Sequence, residues 1–393
     1  MRLRNWTVLV SLLWGLSGCG GGTSDDTPVF TQADKDFLYR LFRTEYLWYD
    51  EIDENVDTSL FNEPQPMIDA IKSPQDRWSF AMDSQTYDDY VNQSYQGFGF
   101  AYDPQTYRIV YILLGSPAEG KLQRGDTVLK INGIPVDADV LAEASSHLGK
   151  ASRFTIDRHG TIYEIDVVPD AYQRIAVASS VIEQNGTKIG YLRYDTFSSS
   201  SYADIEKAFD RFTQANVQTV VVDLRYNGGG SVTVASMLLD NLLGNHPGQP
   251  QFTLTWNPNY QANNQTYYFE DADDQDGNEL TPTQLYFLVT KQTASASEAL
   301  ISALYPYLGK AHVITVGSAT HGKNVGMQGR IYGDYYYFLI NFYIANADGD
   351  ISPSTGIPPT CEAEDDLDHP LGDVNETMLA TALYYIQTGA CPQ

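Results

Sequence analysis

From about residue 175 onward, short apolar runs alternate with stretches of helical periodicity, and this alternation constrains the fold more than any other feature of the sequence. The runs predict three buried strands with helices between them: strands 219–224, 285–290 and 313–316, and helices 232–243 and 296–308. Strands that alternate with helices form crossover units over a parallel sheet. We therefore expect residues 173–393 to form an α/β core with a largely parallel sheet and crossover helices.

Two segments of different character precede this core. Residues 30–94 open with a helix-capping pattern from Thr31 to Asp34 and continue with apolar residues at helical spacing, which predicts a helical N-terminal domain. Residues 95–172 contain short β-rich runs punctuated by glycines, with one helix predicted at 138–148. Because 393 residues with 42% hydrophobic content suffice for two or three domains, we expect an α/β multi-domain protein.

The start of the chain resembles an export signal. Two arginines precede the apolar run 8–13, which is too short to span a bilayer and leads into Leu-Ser-Gly-Cys ending at Cys19. This tetrapeptide resembles the bacterial lipobox, in which the cysteine is lipidated. We expect a signal peptide at 1–18, a lipid anchor on Cys19 and a flexible tether at 19–29. Because the next residue is not the aspartate typical of inner-membrane retention, we expect a place in the cell envelope at the outer membrane; a plain signal peptide is the alternative.

The composition excludes several classes of partner. With 50 acidic against 24 basic residues, the net charge of −26 repels phosphate backbones and anionic lipid, so we expect no nucleic-acid partner and no membrane contact except the anchor. The acidic run 271–276 has an alanine at the first position of a calcium loop, no Cys/His spacing resembles a zinc site, and we expect neither metal nor cofactor. Cys361 and Cys391 are free to pair in an exported compartment, although both could remain thiols. The oligomeric state is left open.

Ser295 lies where a predicted strand gives way to a predicted helix, in the segment 293–298. The N-terminus of a helix offers unpaired N–H groups and a partial positive charge, both of which stabilise a developing oxyanion. Serine is also a favoured helix N-cap, and this segment alone favours that interpretation.

Two further loops follow predicted strands at the same inferred edge of the sheet, where open α/β sheets place their sites. The loop 223–230 ends in three glycines, which allow a close backbone approach and a free N–H directed into the site. The loop 320–326 carries Lys323. A lysine acts as a base only when its amine is neutral, and burial lowers a lysine pKa by several units, so a Ser295–Lys323 dyad is feasible.

Taken in order, Asp-Leu-Arg-x-Asn-x-Gly-Gly from position 223, Ser-Ala-Ser-Glu from position 295 and Gly-Lys at 322–323 resemble the S41 peptidase family, which includes the carboxy-terminal-processing or tail-specific proteases. Asp-Arg-Trp-Ser at 76–79 is similar to the exported lipoprotein branch of that family. The resemblance implies an α/β protease core and assigns four roles: the nucleophile Ser295, its base Lys323, and two oxyanion-hole N–H donors, one at Ala296 and the other at Gly228 or Gly229.

Within residues 95–172, Gly-Ser-Pro-Ala at 115–118 and the run from Arg-Gly-Asp to Asn-Gly at 124–133 resemble a PDZ domain. In such a domain small residues let consecutive backbone N–H groups turn toward one anion, while an exposed strand edge pairs with an extended peptide. The expected ligands are polypeptides with a free C-terminus. The run that looks like the carboxylate-binding loop contains Gly97, Phe98, Gly99 and Phe100.

Several positions depart from the family pattern. Where a glutamine four residues after the lysine is common, the chain has Met327, and Gln328 follows one position later. His321 replaces an aromatic residue, and we interpret it as a wall of the site with a smaller chance of carrying a proton. Gln328 and His321 are the candidates for support of the site. The family aspartate eleven residues after the nucleophile falls at Pro306, which offers no carboxylate.

The sequence therefore predicts a serine endopeptidase that cleaves exported or unfolded proteins near their C-termini by a Ser–Lys dyad. The alternative is a non-catalytic lipoprotein of the same fold that binds peptides or other ligands. The two differ in whether Ser295 reacts as a nucleophile.

Overall fold

The computed structural model describes residues 28–92, 94–270 and 277–393. The predicted signal peptide, Cys19, the tether as far as residue 27 and the acidic run 271–276 lie outside the described residues. In the part of the chain that is described, no helix is both long enough and apolar enough to span a bilayer.

The N-terminal segment packs its helices onto strands from the far end of the chain. Thr31 and Asp34 cap the first helix as predicted, since the Thr31 N–H donates to Asp34 Oδ2 at 2.8 Å. One buried cluster joins these helices to Tyr337 and Ile340, so the segment shares its core with the C-terminal half. Its elements are α1 (Gln32–Thr44), α2 (Pro64–Ile71), β1 (Phe80–Asp83) and α3 (Ser84–Val91).

The β-rich segment has a core of its own. Phe98 meets Phe154 edge to face, with ring centroids 4.8 Å apart, at the centre of a separate apolar cluster. Its elements are β2 (Ser94–Gly97), β3 (Phe100–Tyr102), β4 (Ile109–Ile112), β5 (Thr127–Ile131), β6 (Ile134–Pro135), α4 (Ala138–Ser146), β7 (Ser152–Arg158), β8 (Thr161–Val167) and β9 (Asp170–Gln173). Among the described residues β3 pairs only with β4, which leaves its other edge without a partner strand.

The C-terminal part is built on a mixed six-stranded sheet with helices on both faces. Val220 and Val222 point into one apolar cluster and Val221 into another, which explains why the run is continuously apolar. The elements that form or cover this sheet are β10 (Val177–Gln184), β11 (Thr187–Tyr194), α5 (Tyr202–Gln214), β12 (Thr219–Asp223), α6 (Val232–Leu242), β15 (Leu285–Val289), α7 (Ala296–Ala303), α8 (Tyr305–Leu308), β16 (Val313–Gly317), β21 (Cys361–Glu362) and α9 (Thr377–Thr388). The strands numbered between these belong to other sheets and are given below.

The strand order in that sheet is β10-β11-β12-β15-β16-β21. Strands β10 and β11 are antiparallel, whereas the other neighbouring strands are parallel. The parallel strands β12, β15 and β16 therefore end at one edge, and the loops that follow them meet there. This edge is where the candidate site lies.

Three features differ from the sequence-based expectation or complete it. The single helix predicted at 296–308 is divided into α7 and α8, because Pro306 has no N–H to continue the helical ladder. A second, antiparallel sheet consists of β13 (Pro250–Trp256), β14 (Gln265–Tyr268), β17 (Val325–Met327) and β20 (Ile340–Asn346), in the order β14-β13-β20-β17, and shares an apolar cluster with the first. The remaining strands are β18 (Arg330–Tyr332) and β19 (Tyr335–Phe338). Cys361 and Cys391 form a disulfide, which resolves the alternative that the sequence left open.

Candidate active site

Ser295 occupies a strained turn between β15 and α7. Its backbone angles are φ 58° and ψ −116°, whereas an ordinary N-cap residue is extended. A non-glycine residue with positive φ costs about 1–3 kcal/mol and persists only when its surroundings hold it. Two bonds hold this one: the Ser295 N–H donates to Glu298 Oε2 at 3.0 Å, and its carbonyl accepts from the Ala299 N–H at 2.9 Å. The turn is therefore more than a helix cap.

Glu298 is the residue that joins the Ser295 turn to the Lys323 loop. Its side chain is 1% exposed, and its carboxylate accepts N–H groups from Ser295, from Gly322 at 2.7 Å and from Lys323 at 2.9 Å. The Thr320 hydroxyl donates to the same carboxylate. The motif at 295–298 contains this glutamate, but the sequence predicted no separate role for it; its capping-box spacing three residues after Ser295 is the signal that identifies it.

Lys323 lines the same narrow pocket as Ser295. Desolvation lowers the pKa of the Lys323 amine to about 8, and the negative charges of Asp76 and Glu298 oppose this shift. Among the described residues the amine and the Ser295 hydroxyl are not hydrogen bonded to each other, as is common in a site without substrate. The other residues that line the pocket are Phe252, Ala299, Ser302, Asn324, Ile344, Asn346 and Ser352.

The glycine loop lies directly against the nucleophile turn. A Cβ on Gly229, whose φ is 105°, would lie 2.8 Å from Ser295 Cβ, so only glycine fits there. The Gly229 N–H already donates to Asn227 Oδ1 at 2.9 Å. By contrast, the N–H groups of Gly228 and Ala296 have no acceptor among the residues that the structure describes. Of the two glycines suggested as oxyanion donors, only Gly228 has a free N–H.

A buried hydrogen-bond network fixes the residues that precede the three glycines of this loop. The Asn227 carbonyl accepts from the Ala294 N–H at 3.1 Å and from the Ser297 hydroxyl at 3.0 Å. Arg225, 1% exposed, donates to Glu376 at the start of α9 with distances of 2.8 and 2.9 Å. The role of Ser297 is therefore to bind the neighbouring loop, and the C-terminal helix contributes to holding the site.

The structure separates the two residues suggested as support for the site. His321 forms part of the rim: its Nδ1 lies 3.2 Å from the Lys291 carbonyl, and its Nε2 lies 3.5 Å from Trp78 Nε1. A neutral ring with its proton on Nδ1 satisfies both contacts. Gln328 does not line the pocket; its side chain is exposed, and its backbone N–H donates to Asn341 Oδ1 at 2.7 Å.

The run suggested as a carboxylate-binding loop lies between β2 and β3. Gly97 and Gly99 have φ values of 114° and 82°, and Phe98 points into the segment's own core. The carbonyl of Phe98 accepts from Ala118 at 2.9 Å, whereas the N–H groups of Phe98 and Gly99 have no acceptor in the described parts of the chain. Phe100 begins the strand whose outer edge is open. No three or more acidic, histidine or cysteine side chains within the described ranges are placed to hold a metal ion.

Comparison with known families gives two matches along the chain. The model of peptidase family S41 matches residues 188–363, which contain all three catalytic-site loops. The model of the peptidase S41 N-terminal domain matches residues 33–80, which end with the motif at 76–79. The N-terminal match precedes the peptidase match along the chain.

Individual relatives agree with these matches. A carboxyl-terminal-processing protease of Picosynechococcus sp. is 29% identical over 228 residues, 55% of this chain and 50% of that protein. The carboxy-terminal processing protease CtpA of Bacillus subtilis is 22% identical over 341 residues, 83% of this chain and 67% of that protein. The chain thus spans about half the length of the cyanobacterial relative. A candidate S41 protease of Bacteroides fragilis superposes with a TM-score of 0.75 at 27% identity, covering 90% of this chain and 97% of that one.

Proposed function

We propose that this chain, which belongs to peptidase family S41, is a serine endopeptidase in which Lys323 removes the proton of Ser295 as the hydroxyl attacks a peptide carbonyl. The observation that carries the proposal is the shared pocket, in which a serine on a strained turn lies beside a lysine whose pKa is lowered to about 8. At pH 7.5 roughly a quarter of such amines are neutral, which is enough for a general base.

The reaction uses few groups. Ser295 Oγ forms a bond to the carbonyl carbon, and the negative charge that develops on the carbonyl oxygen is stabilised by the N–H groups of Ala296 and Gly228. The protonated Lys323 then returns its proton to the leaving amine as the C–N bond breaks. Water, deprotonated by the same lysine, releases the acyl group from Ser295.

The substrates that we propose are polypeptides with a free C-terminus, bound by residues 95–172 acting as a PDZ-like domain. The support is the pair of unoccupied N–H groups on Phe98 and Gly99 beside the open edge of β3. A terminal carboxylate fits such a pair of donors, and an extended peptide fits such an edge. On this basis we propose that the enzyme cleaves exported or unfolded proteins near their C-termini.

A fluorophosphonate probe on the purified protein tests the chemistry directly. The wild type should be labelled on Ser295, as mapped by mass spectrometry, and Ser295→Ala should not react. Ser297→Ala is the matched control. The Ser297 hydroxyl donates to the Asn227 carbonyl and does not line the pocket, so this variant should still be labelled. A folded wild-type protein that does not react would favour a non-catalytic binding lipoprotein.

We also propose a lipid anchor at Cys19 that holds the protein in the cell envelope, at the outer membrane where the cell has one. The support is the lipobox-like sequence alone. Cys19→Ala should release the protein from membranes into the soluble exported fraction. A wild-type protein found soluble and without lipid would contradict the anchor.

A further inference from the structure

Asp76 is a buried carboxylate near the catalytic pocket that the mechanism above does not use. It is 3% exposed and accepts four hydrogen bonds. The donors are the Tyr46 hydroxyl at 2.8 Å, the Ser79 hydroxyl at 2.5 Å, and the N–H groups of Trp78 and Ser79, each at 2.9 Å. All four donors are neutral, so the charge of Asp76 is satisfied by hydrogen bonds without an ion-pair partner.

The turn that carries Asp76 is fixed against the elements that carry Lys323. Trp78 contacts His321 in the Lys323 loop at 3.5 Å. The Ser79 hydroxyl accepts the Ile340 N–H at 3.0 Å, and β20, which begins at Ile340, pairs with β17 just after Lys323. The turn that carries Asp76 is thus held against the Lys323 loop and against β20, the partner strand of β17.

Chemistry explains why a charge is useful there. When Lys323 takes the proton of Ser295, an ammonium ion forms in a desolvated pocket, where an unpaired charge is costly. The usual family aspartate is replaced by Pro306, which cannot offset this cost. Two carboxylates act on the amine, Asp76 and Glu298. Glu298 already accepts the backbone N–H groups that join the two loops. The other ionisable groups around Asp76 include Tyr46, which donates to it, Glu51, whose charge acts on Tyr46, His321 on the rim and Arg77 over the Trp78 ring.

We propose that Asp76, contributed by the N-terminal segment, is a positioning residue for the reaction: its fixed negative charge stabilises the ammonium that forms on Lys323 during proton transfer. This inference rests on the proposed Ser–Lys mechanism. It also gives the N-terminal segment a part in catalysis beyond packing. This role of Asp76 differs from peptide recognition, because it does not depend on which peptide is bound.

The test is kcat/KM against pH on one unstructured peptide, for the wild type, Asp76→Asn and Asp76→Glu. Without the charge, the Lys323 pKa falls, so Asp76→Asn should move the acid limb to lower pH and lower the plateau by about tenfold. Asp76→Glu should keep the acid limb. Asp83→Asn is the matched control in the same segment, because Asp83 likewise caps a turn by accepting the Thr86 N–H at 2.9 Å; it should change neither limb nor plateau.

Asp76→Ser provides the same loss of charge if Asp76→Asn does not fold, because serine still accepts N–H bonds in such a turn. Thermal unfolding of each variant gives the folded fraction. If Asp76→Asn and Asp76→Ser keep the wild-type limb and lose activity only in proportion to that fraction, Asp76 is structural and the inference is overturned. If instead Ser295 is not labelled in the wild type, or Lys323→Ala keeps the wild-type profile, the proposed function itself fails.

Discussion

Two glycine loops in this molecule offer free backbone N–H groups, and the structure holds them in different ways. In the core, Gly229 lies against the Ser295 turn, and Asn227 beside it is bonded to the segment that carries the nucleophile. In the β-rich segment, Gly99 lies next to a strand whose outer edge has no partner among the described residues. We call the first the core loop and the second the open loop, because the strand beside the second has an unpaired edge in the described part of the chain.

The difference follows from the two tasks that we propose for the loops. A donor for an oxyanion must already be in position when the charge develops, because movement at that moment would cost part of the stabilisation. A loop that binds the ends of many peptides stabilises the bound substrate and the transition state equally, so it does not change the barrier between them. Changes at the core loop should therefore lower kcat, whereas changes at the open loop should raise KM.

The largest expected effect is the loss of kcat when the Ser295–Lys323 dyad beside the core loop is changed. Ser295→Ala and Lys323→Ala should each lower kcat by about 10⁴-fold or more, and the double variant should be no worse, because the pair acts as one unit. Steady-state kinetics with an unstructured peptide measures this. His321→Ala is the control and should remain active, since the ring nitrogens of His321 contact the Lys291 carbonyl and the Trp78 ring N–H. An active Lys323→Ala with an inactive His321→Ala would make His321 the base.

The next effect separates neighbouring glycines of the core loop. A methyl group on Gly229 would meet Ser295 Cβ at 2.8 Å and the Ala294 carbonyl at 2.9 Å, so Gly229→Ala should displace the nucleophile turn and lower kcat by about 100-fold. Gly228→Ala is the matched control: its Cβ would enter open space, and the N–H is retained. Equal losses in the two variants would show that the loop is not held as closely as described.

Much of this architecture was predictable from local sequence, and most of the exceptions depend on contacts between distant residues. The strands before the three loops are continuous apolar runs, and the helix after Ser295 was expected, although the local effect of Pro306 on its length was not. The antiparallel sheet that pairs β13 with β20 was missed, because its partners lie far apart in the sequence. Glu298 has a local capping-box signal, but its bonds to the Lys323 loop form only through tertiary contacts, and so does the contact of the Asp76 turn with that loop.

The pH dependence should further separate chemistry from binding. Because the pKa of Lys323 in the free protein is about 8, kcat/KM should rise with pH and level off above about that value, since the protonated amine cannot accept a proton. Each pH unit below it should cost about tenfold. Peptide affinity of the Ser295→Ala variant, measured by fluorescence anisotropy, should stay constant across the same range, because the open loop uses backbone N–H groups that do not titrate. Parallel changes in rate and affinity would contradict this separation.

The smallest expected effect is at the open loop. Amidating the C-terminus of a peptide substrate removes the charge that the Phe98 and Gly99 N–H groups are proposed to bind. Hydrogen bonds of this kind contribute about 1 kcal/mol to binding. KM should therefore rise about fivefold, while kcat is unchanged. The effect is small because the peptide keeps its pairing with the β3 edge and its contacts in the pocket near Ser295. Gly99→Ala should act in the same direction, since its Cβ would lie 2.1 Å from Ser116 Cβ and displace the loop. Gly133→Ala is the control in the same segment: its φ of 82° equals that of Gly99, so the backbone strain is matched, but no atom lies within 4 Å of its added Cβ. If amidation leaves KM unchanged and Gly99→Ala lowers kcat instead, the open loop contributes to the chemistry, and the contrast between the two loops is wrong.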